Sequence, residues 1–167
     1  MGRFITAVAV GAGLIAFAAT AQAQLITEKV LSADMALEAG TAAMAACRAI
    51  GQGQIMVVVI DNHATVLFSW IGDHGNVKTY NTIPFRKAYA ALNGTPSGVR
   101  GAAAAKEPQG YAHMIQQNPM NTGSAGGVPI KVGNETIAAI GVGGSNGEEN
   151  DDKCAKAGVA KIQDRLH

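Results

Sequence analysis

The chain has 167 residues, 48% of them hydrophobic, enough for one compact core and hardly for two. Only 15% are charged and the formal net charge is +1, so the basic surface that drives sequence-independent phosphate binding is missing and nucleic acid is not an expected partner. The 21 glycines are scattered among apolar runs without a Gly-X-Y period, which excludes collagen and argues against low-complexity disorder.

The first segment reads as an export signal. Arg3 carries the one early charge, the stretch from Ile5 to Thr20 is apolar or small throughout, and Ala21-Gln22-Ala23 places small side chains where a signal peptidase needs them. The run is short and alanine-rich for a membrane span, which leaves an uncleaved membrane anchor as the lesser alternative. Cleavage after Ala23 is expected, with residues 1–23 as signal peptide and 24–167 as a single periplasmic or secreted domain without a membrane span. Export also changes what the two cysteines mean, because an oxidising compartment lets thiols pair. Cys47 and Cys154 each sit on the apolar stripe of an expected helix, so a structural disulfide and two small buried hydrophobes remain as alternatives.

Ser32 caps a helix predicted from about residue 33 to 50, with Ala36, Ala39, Ala43, Cys47 and Ile50 at helical spacing and Gly51 as its stop. The β-branched run Ile55 to Ile60 has the pattern of a strand buried on both faces. After the polar break Asp61-Asn62-His63, Ala64 to Trp70 completes a hairpin. A helix follows from the Thr82 cap, with Pro84 in its first turn and Phe85, Ala88, Tyr89 and Leu92 on one face. Ser97 and Pro108 open two further short helices, and residues 121–127 form a glycine-rich loop. Val128 to Val132 and Thr136 to Val142 flank the turn Gly133-Asn134 as a second hairpin. The last helix begins in the acids Glu148, Glu149, Asp151 and Asp152 and ends among cations, the order that suits a helix dipole. Ala155, Val159, Ile162 and Leu166 form its apolar stripe. The fold class is α+β: an antiparallel sheet of two hairpins covered by the N- and C-terminal helices, an arrangement that would bring Cys47 near Cys154.

No motif in the chain is catalytically self-sufficient: a Gly-x-Ser-x-Gly elbow, a His-Glu-x-x-His pair and a P-loop are all missing. The residues that could carry chemistry are therefore scattered. Asp73-His74-Gly75 puts an acid and an imidazole on a loop next to the strand that ends in Trp70. His113 with Met114 would suit a haem iron or soft metal, although a surface histidine beside a core methionine is the commoner arrangement. Arg86-Lys87 is poorly placed for its helix dipole and so reads either as a carboxylate partner or as two solvated charges, the latter slightly favoured. Gly126 and Gly127 end a loop whose backbone N–H groups could form an anion-binding concavity. His63 reads as an exposed turn residue.

Several blocks together resemble the GlcG/HbpS family, also described as haem-degrading: Val57-Val58-Val59-Ile60-Asp61, Arg86-Lys87-Ala88-Tyr89-Ala90-Ala91, Gly126-Gly127-Val128-Pro129-Ile130, and Ile140-Gly141-Val142-Gly143-Gly144 with the run Asp151 to Gly158. The element order is similar to that family's profilin-like core. The resemblance implies a homo-oligomeric binding protein whose ligand is haem or, in the alternative, a small organic acid. Asp73, His74, Arg86, Lys87, Gly126 and Gly127 are the candidate ligand-binding residues, and His74 and His113 the candidate metal ligands. The chain departs from the family in having His63-Ala64 in the first turn, where glycine is common, and in lacking a histidine in its first helix. The expected function is non-catalytic haem binding. The alternative is an enzyme or accessory subunit acting on a 2-hydroxy or 2-oxo acid, with Lys87 or His74 as its acid/base group.

Overall fold

A computed structural model describes residues 27–75 and 82–167; the expected signal peptide lies outside the described residues. The elements, in chain order, are α1 (Ala33–Ala49), β1 (Met56–Asp61), β2 (Val66–Ile71), α2 (Ile83–Ala91), α3 (Ser97–Ala104), α4 (Gly110–Gln117), β3 (Gly127–Val132), β4 (Glu135–Gly143) and α5 (Glu148–Ile162), closed by a 3-10 turn at Gln163–Arg165. The four strands form one antiparallel sheet in the order β2-β1-β4-β3, so the two hairpins join through their inner strands β1 and β4. The α+β arrangement of two hairpins with both terminal helices on one face is as the sequence predicts.

The strands' period-2 alternation sorts side chains between two layers. Val57, Val59, Val128, Ile130, Ile140 and Val142 point to the face covered by α1 and α5. Met56, Val58, Ile60 and Ala139 point to the other, against Ala88 and Ala91 of α2. Burial of β1 on both faces explains its unbroken β-branched run. Between α1 and α5, Cys47 and Cys154 form a disulfide across a Cα–Cα distance of 5.4 Å, which resolves the two alternatives in favour of the bridge.

Element boundaries shift where backbone geometry intervenes. β2 starts at Val66 instead of Ala64, because Ala64 adopts a positive φ of 63° and the pairing with β1 carries an irregularity between Val59 and Ile60. The helix expected at Pro108 starts at Gly110, after Gln109 in a left-handed conformation. Leu166 falls beyond α5 but still packs against the core.

α2 lies unusually close to the sheet. Gly127 and Gly141 are cross-strand partners facing it: a Cβ on Gly127 would fall onto the Lys87 carbonyl oxygen, and one on Gly141 onto the Pro84 carbonyl oxygen. The absence of both side chains is what lets the α2 backbone rest on the strands, and this sets where Arg86 and Lys87 point.

Candidate functional site

Arg86 and Lys87 are adjacent in sequence and leave α2 in different directions. Lys87 is 2% exposed, and its Nζ donates a 2.7 Å hydrogen bond to Asp151 Oδ2 in the first turn of α5. The other Asp151 oxygen accepts from the Ser145 amide, so the pair is closed on both sides. This corrects the expectation of a solvated charge: Lys87 is an internal cation neutralised by a buried carboxylate. The same seal keeps it from serving as an acid/base group or as a partner for a ligand carboxylate. Gly126 and Gly127 lie beside Lys87. Their loop, however, is filled from within: Ser97, fully buried, donates to the Ser124 carbonyl and accepts from the Gly127 amide, and Glu148 Oε2 accepts from the Ala125 amide. Burial works to raise the Glu148 carboxyl, but hydrogen bonds from Ser124 and the Ala125 amide, helped by the Lys87 charge, hold it below the ordinary carboxylate value. The loop's polar groups thus serve the fold.

Arg86 turns the other way. It is half-buried, its Nη2 donates to the Asn121 carbonyl at 2.7 Å, and its Nε is buried without a partner. Arg100, on α3, donates through Nη1 to the Ala90 carbonyl at 3.0 Å and to Asn121 Oδ1 at 3.3 Å. Asn121 therefore ties two guanidinium groups together at the floor of a cleft of about 460 Å³, lined by Asn62, His63, Ala64, Tyr89, Ala90, Leu92, Asn93, Arg100 and Asn121. The volume lies within the range of small-ligand sites. Its outer wall is the β1–β2 turn. That turn is locked by Asp61 Oδ1, which accepts from the His63 and Thr65 amides, and by Glu28, which accepts from Asn62 and lies 3.7 Å from His63 Nε2.

The remaining expected site residues do not converge on this cleft. Asp73 and His74 are exposed beyond β2, at the opposite end of the hairpin from His63, a strand length of about 20 Å away. Asp73 faces Arg48 at 3.9 Å, and Arg48 covers the Trp70 ring at 5.0 Å, so the aromatic plane near that loop is already occupied. His113 is exposed on α4, while Met114 is buried. No group of three or more His, Cys, Asp or Glu side chains that could hold a metal occurs among the described residues. No described helix is long and apolar enough to cross a membrane.

The sequence reading missed Arg100 and Asn121 and discounted His63. The available signal was Arg100 itself, a lone cation in a helix otherwise made of small and apolar residues. Within the cleft, His63 is the side chain whose nitrogen suits an iron, Arg100 is a cation that suits a ligand carboxylate, and Ala64, Ala90, Leu92 and the Tyr89 ring supply apolar wall. That donor set fits a haem.

The comparisons agree with the fold. The crystal structure of HbpS is 27% identical, with a TM-score of 0.72, covering 82% of this chain and 93% of its own. A double mutant of HbpS from Streptomyces reticuli is 25% identical, with a TM-score of 0.73, covering 93% and 97%. A PduOC:haem complex, at 18% identity and a TM-score of 0.71 over 80% and 96%, is alike in fold alone. No curated protein matches the chain. The family described as "Haem degrading protein HbpS-like" matches residues 31–160, which is almost all of the folded domain, and the chain belongs to that family.

Proposed function

We propose that this protein binds haem without transforming it, as an exported sequestering or sensing component. The observation that carries the proposal is the match to a haem-related family over residues 31–160. A haem complex of a protein with the same fold lends further support. When bound, haem would supply an iron centre and two carboxylates. His63 would supply the nitrogen that holds the iron in this reading, in place of His74, because His63 lines the cleft while His74 stands at the other end of the hairpin.

A visible-absorption titration of the purified protein with haemin tests this. The expected result is a saturable, stoichiometric Soret shift whose position changes in His63→Ala and is retained in His74→Ala. Nonsaturating adsorption alone would reject haem binding, and a shift lost only in His74→Ala would return the iron to the Asp73–His74 loop. The proposal extends to cleavage after Ala23 and to homo-oligomerisation, as the family resemblance implies. N-terminal mass spectrometry showing Gln24 as the first residue, and sedimentation showing more than one chain, are the outcomes expected.

A further inference from the structure

The residues lining the cleft include a guanidinium, an imidazole and several amides, but no carboxylate. The Arg86 guanidinium approaches the same Asn121 from beneath, with Nε buried and unpartnered, so two cations converge on Asn121 with no ion pair to either among the described residues. The carboxylates of the facing turn, Glu28 and Asp61, are engaged by Asn62, His63 and the turn amides. The contrast with Lys87 is informative. The third cation of this region has its own buried carboxylate at 2.7 Å, and the other two are held in place only by carbonyl and amide oxygens. Oxygens of that kind orient a guanidinium and leave its charge uncompensated, which favours an incoming anion. Asn62 Oδ1, also buried without a partner on the opposite wall, is an acceptor left open for a hydroxyl or protonated group.

From this we infer that the cleft is a carboxylate-binding site in which Arg100, oriented by Asn121 and the Ala90 carbonyl, is the anion-binding group and Arg86 reinforces its charge from below. The chemistry is shared by two sources, a propionate of haem and a free small hydroxy acid. Only the choice of haem rests on the function proposed above; the site itself stands on the cleft.

Two variants probe it. Arg100→Ala removes the guanidinium. Because that side chain also braces the Ala90 carbonyl, a second variant leaves it intact: Ala64→Asp places a competing carboxylate on the cleft wall, at a left-handed position that aspartate tolerates better than alanine. Each is titrated with haemin by absorption and with glycolate, the smallest 2-hydroxy acid, by calorimetry. Loss of about tenfold or more in affinity for the bound probe in both variants, with His74→Ala unchanged, is the expected result. If the unmodified protein binds glycolate but not haemin and both variants lose glycolate, the site stands and the haem proposal falls. If haemin binds all forms alike and glycolate binds none, the carboxylate site is overturned while haem binding survives elsewhere. If neither probe binds the unmodified protein, both fall.

Discussion

Lys87 Nζ and Asp151 Oδ2 meet at 2.7 Å with side chains only 2% and 5% exposed, joining the middle of α2 to the first turn of α5 across the end of the sheet. The two residues are 64 positions apart in the chain, and their helices cover opposite faces of the sheet. The pair therefore pins the two helical layers to each other. Removing one partner leaves an uncompensated buried charge, so Lys87→Met is expected to lower unfolding free energy by about 3–5 kcal/mol in chemical denaturation. Lys87→Met with Asp151→Asn should recover part of that loss, because an amide can still accept from the Ser145 amide and carries no charge. A single variant with unchanged stability would show that the pair does not hold the layers.

The Cys47–Cys154 bridge closes a loop spanning 107 positions and ties α1 to α5 on the face opposite α2. In the chain-entropy account a loop of this length contributes about 5 kcal/mol. Cys47→Ala/Cys154→Ala should lose an amount of that order, and reductant should lower the denaturation midpoint of the unmodified protein while leaving the double variant's unchanged.

Gly127→Ala tests the seating of α2. The new methyl would meet the Lys87 carbonyl and the Ser97 hydroxyl, pushing α2 off β3. A loss of about 3 kcal/mol is expected, at the upper end for overpacking because the obstacle includes backbone. Gly133→Ala is the contrasting case: nothing lies within 4 Å of its Cβ, and the cost there is only that of its positive φ.

Glu148 gives the acid limb of stability a specific contribution. Its carboxyl is held below the ordinary value in the fold, so the native state favours the ionised form. The stabilisation is complete above the unfolded-state value and disappears as pH falls through the lower folded-state value. Glu148→Gln should remove this part of the acid sensitivity. The effect should not exceed about 1 kcal/mol, since the residue is exposed and its charge interactions are screened. Denaturation midpoints of both proteins across the acidic range should converge as pH falls.

Much of the architecture is written in local patterns. The apolar run from Ile55 to Ile60 identifies the central strand because an unbroken apolar stretch of that length suits a strand buried on both faces. The Ser32 cap, the helical spacing of small residues after it and the two-residue turn Gly133-Asn134 each specify an element from its own neighbours. Even the proximity of the cysteines follows once both terminal helices are placed on one face of the sheet.

The functional surface is of another kind. Nothing near Arg86 and Lys87 in sequence distinguishes the cation that is buried from the one that reaches a cleft; glycines on β3 and β4 settle it by bringing α2 down onto the sheet. Arg100, Asn121 and His63 belong to three separate segments and become neighbours of one cavity only when α3, the 121–127 loop and the β1–β2 turn pack around α2. Propensity and periodicity act over a few residues and so reveal the helices and strands. A binding site depends on which faces of distant segments meet, and that is determined by close packing across the whole core.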